Sequence, residues 1–367
     1  MPSESPIRIG VVGPGWWAAR YLLPPLLDHP SAEVRALCGR DAGRVRAAAE
    51  AAGIPHAYVS VEDMIEDVGL DALIVASPPS SHLPAVTAGA ARGLHVFCEK
   101  PLARSATETA AMVRACERVR TVAGFTQRWH PAVRLLKTMA VDGAIGEVLH
   151  IRYTTRATLA ADPRAPWDWR HDADEYSYGV LSDLGPHAVD LVRWIGGEIA
   201  SVQATAHTVF SDRQDAHGAL RPVGNWDDAT MEFESENGPA ASVTMTRTMP
   251  RSTYRRFHHE LDVVGTRGTL TYTSDRPAEV IVAETGGEPK ALRPSVPGLE
   301  EAAAGSFEEI MAVMNEGARR QAADMLDAFA GRPVQEVPTL TDGHIGQQVL
   351  DAAAVSARTH AEVRVRS

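Results

Sequence analysis

Three residues of this chain carry side chains suited to moving a proton to or from an oxygen atom. Asp183 and His187 are four positions apart, so their side chains share one face if both lie on one helical turn. The carboxylate would then orient the imidazole for acid–base catalysis near neutral pH. Lys100 adds an ammonium group that can hold a substrate oxygen and stabilise charge developing on it. Each also has a structural alternative: a helix-start hydrogen bond for His187, a cap for Asp183 and a surface charge for Lys100.

A glycine-rich turn at residues 13–18, GPGWWA, directly follows the first apolar run. It has the G-x-G-x-x-A pattern, in which Gly13 makes the tight turn and Gly15, lacking a side chain, admits a pyrophosphate to the start of the next helix. Its place at the first strand-to-helix junction indicates a dinucleotide site rather than an ordinary bend. Trp16 and Trp17 are expected either to form a wall beside the cofactor or to pack between domains.

The tip of the second predicted strand selects between cofactors. An NAD site usually has an Asp or Glu there, about 20 residues after the glycines, to accept hydrogen bonds from the ribose. Here Gly39 takes that place and Arg40 follows, with a guanidinium that can bind a 2′-phosphate. We therefore expect NADP(H) in preference to NAD(H). In the alternative, Asp41 binds the ribose and Arg40 is a solvated surface residue, which leaves NAD(H) possible.

The elements that must position these residues begin with a βαβ series. From residue 7 to about 124, short apolar runs alternate with Ala-rich segments of helical length, which is typical of a parallel sheet. The predicted strands are 7–12, 33–38, 72–76, 95–97 and 121–123, and the predicted helices are 44–52, 81–92 and 106–119. We assign residues 1–128 to this α/β domain, a doubly wound Rossmann fold.

The rest of the chain has a different pattern, with strand-like alternation of Thr, Val and Tyr. Its predicted strands are 146–155, 201–209, 229–234, 241–248 and 260–264, and its predicted helices are 188–195 and 311–329. They favour an α+β domain over 129–339 with one large, mainly antiparallel, open-faced sheet. Residues 276–305, rich in Pro, Glu and Gly, are predicted to be a long surface excursion. A last helix at about 340–360 is expected to pack back on the first domain.

Composition limits the function classes. The 367 residues are 44% hydrophobic, enough for two cores, and the net charge of −11 without a basic, aromatic-rich run argues against a nucleic-acid partner. Three cysteines without CxxC spacing favour a reducing compartment, the cytoplasm. The polar residues 1–6 run straight into a strand, and no apolar stretch approaches the roughly 20 residues of a membrane span. We therefore expect neither secretion nor a membrane partner, and the sequence has no metal-ligand spacing.

Taken together, the motifs resemble the glucose-fructose oxidoreductase/inositol dehydrogenase (Gfo/Idh/MocA) family over nearly the whole chain. The resemblance rests on the glycine turn, SPPSSH at 77–82, Glu-Lys-Pro at 99–101, GEV at 146–148 and DLGPH at 183–187. It implies a Rossmann domain and an open-faced C-terminal sheet that often carries the subunit interface. It also implies hydride exchange between a nicotinamide cofactor and a sugar, cyclitol or related polyol.

The resemblance implies roles for individual residues. Lys100 would touch both cofactor and substrate, Asp183 and His187 would face the reacting carbon, and Arg128 is a further expected substrate contact. The cofactor would also be lined by Gly13, Gly15, Ser77, Pro78, His82, Glu99 and, as in some reductases of the family, by the pair Trp169 and Arg170.

Two features leave the specific activity open. The family often has three glycines before the Asp, whereas this chain has Ser177-Tyr178-Gly179, which predicts a bulkier pocket floor and a differently shaped substrate. The same fold also hosts NAD-dependent glycoside hydrolases and can serve as a catalytically silent sensor, although retention of Lys100, Asp183 and His187 favours an enzyme. Because the second face of the sheet must be covered or polar, a homodimer or homotetramer is expected.

Overall fold

The structure is a computed structural model that describes residues 5–250, 257–295 and 303–365. The chain divides into two compact units, one of residues 1–126 with 317–344 and one of residues 127–316 with 345–367. The first boundary lies two residues before the one expected from the sequence. Residues 1–4 of the N-terminal segment, which is expected to be polar, lie outside the described residues.

The first unit is built on a parallel sheet. Among its described residues, the sheet has six strands in the order β3-β2-β1-β4-β5-β6, the arrangement of a dinucleotide-binding Rossmann fold. The strands are β1 (Ile7–Val12), β2 (Ala32–Cys38), β3 (His56–Tyr58), β4 (Ala72–Val75), β5 (His95–Cys98) and β6 (Thr121–Ala123). β1 and β4 are adjacent at the point where the strand order reverses, so the crevice for a ligand opens at their carboxyl ends.

Helices cover both faces of this sheet. They are α1 (Leu23–Leu27), α2 (Ala42–Ala52), α3 (Val61–Val68), α4 (His82–Ala91) and α5 (Ala106–Ala115), and a π-helical segment, Ala18–Leu22, precedes α1. Pro24 and Pro25 lack the N–H groups that a regular helix would use at these positions. α2, α3 and α5 start at residues whose side chains accept a backbone N–H, namely Asp41, Ser60 and Ser105.

The second unit contains a large mixed sheet. Within the described residues it has nine strands in the order β16-β15-β14-β13-β7-β12-β11-β8-β17; β7 and β12 pair in parallel, and the other neighbours are antiparallel. Its strands and helices, with the separate β9–β10 hairpin, are α6 (Pro131–Val141), β7 (Val148–Ala157), α7 (Val180–Asp183), α8 (Gly185–Gly196), β8 (Ile199–His207), β9 (Asp212–Gln214), β10 (Leu220–Pro222), β11 (Asp228–Ser235), β12 (Ala240–Thr246), β13 (Phe257–Gly265), β14 (Gly268–Thr273), β15 (Val280–Glu284), β16 (Lys290–Leu292) and β17 (Val363–Arg364).

The two faces of this sheet differ in character. On one face, Tyr153, Val243 and Leu261 are buried in a core shared with α6 and α8. The opposite face carries polar and charged side chains, and on it Thr205, Thr230, Thr244 and Thr154 stand side by side in register across β8, β11, β12 and β7. The predicted open-faced, mainly antiparallel sheet is confirmed.

Two long helices, α9 (Phe307–Ala330) and α10 (Leu340–Thr359), complete the fold. The prediction that the last helix packs on the first domain is wrong for most of its length. Leu340 belongs to the core of the first unit, but Val349 and Ala353 lie in the core of the second unit. There, a Cβ on Gly185 would lie 2.7 Å from Leu350, so α8 and α10 are in close contact. The apolar periodicity of α10 predicted a helix but could not identify the core it joins.

The 276–305 stretch also differs from its prediction. β15 and β16 both lie within it and extend the sheet, and its residues 296–302 fall outside the described part of the chain. β15 adds Val280 to the core, because strand pairing with β14 outweighs the polar composition of the flanking turns. No helix in the described ranges has the length and apolar character needed to cross a membrane.

Candidate active site

The glycine turn lies at the carboxyl end of β1. Gly13 has a φ of 82°, and a Cβ there would lie 2.5 Å from the backbone nitrogen of Ser77, so this position requires glycine. By contrast, a Cβ on Gly15 would meet no protein atom within 4 Å. The turn is therefore closed on the Gly13 side and open at Gly15, where a phosphate can approach the helix start.

The two tryptophans of the turn are in different environments. Trp16 is 66% exposed, whereas Trp17 is half-buried and packs on Tyr21 with ring centroids 4.6 Å apart. The indole Nε1 of Trp17 donates a hydrogen bond to Glu99 Oε1 at 2.8 Å. The Trp17 side chain therefore makes contacts within the first unit. A contact of Trp16 with the cofactor stays a prediction.

The tip of β2 is arranged as a helix cap. The Gly39 N–H donates to the Tyr58 carbonyl, and a Cβ on Gly39 would lie 2.9 Å from Val45. Arg40 is exposed. The Asp41 carboxylate accepts the Arg44 N–H at 3.0 Å and so caps α2, with its other oxygen 3.6 Å from Arg44 Nε. Asp41 is engaged in its own helix rather than projecting from the strand tip.

His82 supports the loop that follows β4. Its Nε2 lies 2.6 Å from the Ser77 carbonyl oxygen, and its Nδ1 lies 3.1 Å from the carbonyl oxygens of Pro101 and Leu102. The ring is buried, which lowers its pKa, while the three carbonyls oppose that effect. Its side chain therefore ties the loop beginning at Ser77 to the one following Lys100. This internal role differs from the direct cofactor contact implied by the resemblance.

Glu99 and Lys100 follow β5 directly. Glu99 is 6% exposed, and its Oε2 accepts the backbone N–H of Lys100 at 3.1 Å. Burial raises the pKa of Glu99 to about 7, while the Trp17 indole and the Lys100 charge and N–H act in the opposite direction. The Lys100 side chain is partly exposed, and its peptide bond to Pro101 is cis.

In the second unit, Asp183 is the last residue of α7 and His187 lies in the first turn of α8. Asp183 is buried, and the Tyr176 hydroxyl donates to its Oδ1 at 3.5 Å; His187 is partly exposed. Gly179, at φ 58°, precedes α7, and a Cβ there would lie 2.2 Å from the Trp226 carbonyl oxygen. The acid and the imidazole thus stand at the junction of two short-linked helices.

The predicted pair Trp169 and Arg170 lies in a 3₁₀ turn. The Arg170 guanidinium carbon is 4.3 Å from the Trp169 ring centre, and the ring meets Tyr176 edge-on at 5.1 Å. The Arg170 carbonyl accepts hydrogen bonds from Asn225 and Arg247, at 3.0 and 3.1 Å. This chain of contacts links the turn to Tyr176 and, through it, to Asp183.

The support behind this turn is a buried ion pair. Arg247 Nε lies 2.7 Å from Asp227 Oδ1, with side chains 2% and 1% exposed, and Arg247 Nη2 donates to Asn225 at 2.7 Å. Sequence reasoning missed these residues and Tyr176, since the contacts join positions 20 to 77 residues apart. Only Arg247 lies in a predicted strand, 241–248, where its charge was a local signal.

Arg128 has an internal partner. Its Nε and Nη2 donate to both oxygens of Asp190, at 2.8 and 2.6 Å, and the two side chains are 6% and 2% exposed. Such a bidentate, buried pair accounts for the burial of Arg128 without a substrate. Its predicted contact with substrate therefore has no support from this geometry.

A parallel sheet in this strand order, with the glycine turn at its switch point, defines a dinucleotide-binding fold. Residues 7–125 match the family model described as an oxidoreductase family with an NAD-binding Rossmann fold, and residues 133–271 match the GFO/IDH/MocA C-terminal domain. The chain belongs to the Gfo/Idh/MocA family of oxidoreductases, as its motifs predicted.

Several proteins of established name are similar to it. The levoglucosan dehydrogenase of Pseudarthrobacter phenanthrenivorans is 30% identical, over 76% of each chain. The D-xylose 1-dehydrogenase (NADP(+)) 2 of Haloferax volcanii is 32% identical over 68% of this chain and 72% of the relative. A solved levoglucosan dehydrogenase in complex with NADH and L-sorbose superposes with a TM-score of 0.87 at 24% identity, over 98% of this chain and 99% of that one. These relatives are dehydrogenases, and they lend no support to a glycoside hydrolase or a sensor.

Proposed function

We propose that this protein transfers a hydride between a nicotinamide cofactor and a secondary alcohol or ketone of a sugar, cyclitol or related polyol. The main support is the space beside Gly15 at the carboxyl end of β1, in a chain that belongs to an oxidoreductase family. The carbohydrate substrates named for the two relatives support the substrate class.

The residues of the first unit fit a dinucleotide. The empty space at Gly15 suits a pyrophosphate, and Ser77 and Pro78 follow β4 at the adjacent strand end. We propose Gly13, Gly15, Ser77, Pro78 and Lys100 as direct cofactor contacts. When bound, the nicotinamide supplies hydride chemistry that protein side chains lack.

The cofactor proposal is NADP(H) in preference to NAD(H). Arg40 is exposed at the tip of β2, where its guanidinium is available to a 2′-phosphate. Asp41 caps α2 through its carboxylate, which weakens the alternative in which it accepts a ribose hydroxyl. The relatives support both cofactors, since one is named for NADP(+) and a solved structure contains NADH.

We propose Lys100, Asp183 and His187 as the catalytic group. His187 takes the hydroxyl proton when the alcohol is oxidised and returns it in the reverse direction. Asp183, oriented by the Tyr176 hydroxyl, positions the imidazole or binds the neighbouring substrate hydroxyl. Lys100 holds the reacting oxygen and stabilises its developing charge.

A homodimer or homotetramer formed through the sheet of the second unit is also proposed. The threonines on the open face form a continuous row of small side chains across four strands, which suits the packing of one sheet against another. A cytoplasmic location remains a prediction, in keeping with the buried thiols Cys38, Cys98 and Cys116.

The proposal is tested by incubating the purified protein with NADP⁺ or NAD⁺ and a panel of sugars, anhydrosugars and cyclitols. We expect net formation of reduced cofactor with at least one panel member, faster with NADP⁺. Cleavage of a glycosidic bond without net cofactor reduction would instead identify a glycoside hydrolase, and cofactor binding with no turnover across the panel would favour the sensor.

A further inference from the structure

A single carboxyl group links the glycine turn to Lys100. Trp17 lies in the first helical turn after Gly15, and its indole N–H donates to Glu99 Oε1 at 2.8 Å. The other oxygen, Glu99 Oε2, accepts the backbone N–H of Lys100 at 3.1 Å. The buried carboxylate therefore bridges two segments that are 82 residues apart in sequence.

The surroundings hold this bridge in place. Trp17 packs against Tyr21, which fixes the direction of the indole N–H. Gly124 allows the Glu99 carboxyl to approach β6, since a Cβ there would lie 2.8 Å from the carboxyl carbon. Neither contact follows from the glycine pattern, which leaves the identity of residue 17 open.

We propose that Trp17 and Glu99 are positioning residues that fix the backbone of Lys100 beside the phosphate-binding turn, and that they do so while the Glu99 carboxyl is ionised. The proposal rests on the proposed function, in which Lys100 touches substrate and cofactor. A carboxylate offers an acceptor to both N–H donors at once. Protonation turns one of these oxygens into a hydroxyl, which is a weaker acceptor and carries a proton of its own, so the hydrogen bond from one of the two N–H donors weakens.

The charge state of Glu99 changes near neutral pH. Burial raises its pKa to about 7. The groups of the first unit that act on this charge are the Lys100 ammonium and N–H and the neutral Trp17 indole from the glycine turn. The Cys98 thiol lies on the same segment as Glu99, and Gly124, which has no side chain, lies against the carboxyl after β6. Of these, Lys100 and the Trp17 indole favour the carboxylate. Removing the indole N–H therefore raises the pKa of Glu99, so ionisation requires a higher pH.

The test measures the exposure of the Lys100 amine in the protein without cofactor. An amine-acylating reagent is applied across the neutral pH range, and modification of Lys100 is read by peptide mass spectrometry relative to the exposed Lys290. Three variants are compared with wild type: Trp17→Phe keeps an aromatic ring without the N–H, and Glu99→Gln removes the titration. Glu66→Gln is the charge-matched control, because Glu66 pairs with Arg92 at the surface, with its side chain 56% exposed.

We expect the Lys100 to Lys290 ratio to change with pH around a midpoint near 7 in wild type and in Glu66→Gln. The midpoint should rise by about one to two pH units in Trp17→Phe, as for loss of a charged hydrogen bond, and the transition should vanish in Glu99→Gln. If Trp17→Phe does not fold, the pH profile of Glu99→Gln alone tests the proposal. A Glu99→Gln profile identical to wild type overturns the proposal.

Turnover separates this proposal from the proposed function. If the Lys100 to Lys290 modification ratio depends on pH as expected but no sugar or cyclitol is oxidised, the positioning role of Trp17 and Glu99 stands and the dehydrogenase assignment fails. If turnover is found but the pH profile of the modification ratio is the same in wild type and all three variants, the dehydrogenase assignment stands and the positioning role of Trp17 and Glu99 fails.

Discussion

The Asp41 carboxylate accepts the backbone N–H of Arg44 at 3.0 Å and thereby closes the N-terminus of α2. Arg40, one residue earlier, remains at the exposed tip of β2. Because Asp41 caps the helix and Arg40 is exposed, the cofactor preference can be tested by substituting Arg40 alone.

Arg40→Ala should weaken NADPH binding about 10- to 150-fold, as for the loss of a charged hydrogen bond of roughly 1.5–3 kcal/mol. NADH binding should change little, since NADH has no 2′-phosphate. Fluorescence titration of both cofactors measures the ratio. Arg46→Ala, which removes an equal charge from an exposed position on α2, is the control. An unchanged NADPH to NADH ratio in Arg40→Ala would show that Arg40 does not select the cofactor.

The two glycines of the turn should respond differently to the same substitution. Gly15→Ala should leave the melting temperature nearly unchanged, because its Cβ meets no protein atom within 4 Å, but it should weaken dinucleotide binding. Gly13→Ala should destabilise the fold, because its φ is 82° and its Cβ would lie 2.5 Å from Ser77. Calorimetry and cofactor titration of both variants separate the effects. Full cofactor affinity in Gly15→Ala would place the pyrophosphate elsewhere.

The stability contribution of Glu99 should depend on pH. Its pKa is raised from 4.5 to about 7, so the protein gains stability from protonated Glu99 at low pH and loses it as pH rises through 7. Glu99→Gln should therefore become more stable relative to wild type on going from about pH 5 to about pH 8, by up to roughly 3 kcal/mol. Urea unfolding at both pH values measures the difference. An equal effect at both pH values would mean that Glu99 does not titrate between them.

The open face of the large sheet should carry the subunit contact. Thr244→Arg, in the centre of the threonine row, should convert the expected dimer or tetramer into smaller species, since a stable interface needs about 800 Å² of well-packed surface per partner. Light scattering coupled to size exclusion gives the mass. Asn237→Arg, exposed between β11 and β12, should leave the mass unchanged. A wild-type monomer at micromolar concentration would contradict the proposal.

Local sequence patterns were sufficient for the elements of the first unit that surround the cofactor turn. β1 and β6 match their predicted bounds, since buried parallel strands have short apolar runs with clear turn residues on both sides. The roles assigned to the Glu-Lys-Pro and Asp-x-x-x-His segments from the family motifs stay predictions. β3, β9 and β10 were not predicted, because three-residue strands depend on their partners rather than on their own composition.

Long-range contacts were beyond sequence reasoning. The pairing of Arg128 with Asp190 and of Arg247 with Asp227 joins residues 62 and 20 positions apart, and nothing local distinguishes these arginines from surface charges. The same holds for Trp17 and Glu99. The glycine motif predicts the turn but does not specify what the side chain of residue 17 contacts.

The most direct test of the catalytic role of His187 is the turnover of His187→Ala on a substrate found in the panel, after NADPH titration has shown that cofactor binding is intact. The proposed role of His187 as acid and base predicts a kcat lowered about 100-fold or more, while His217→Ala, at an exposed position, keeps wild-type kcat. Lys100→Ala should lower kcat and also raise KM, since the ammonium is proposed to hold the substrate. Wild-type kcat in His187→Ala would contradict the proposed acid–base role and remove His187 from the mechanism.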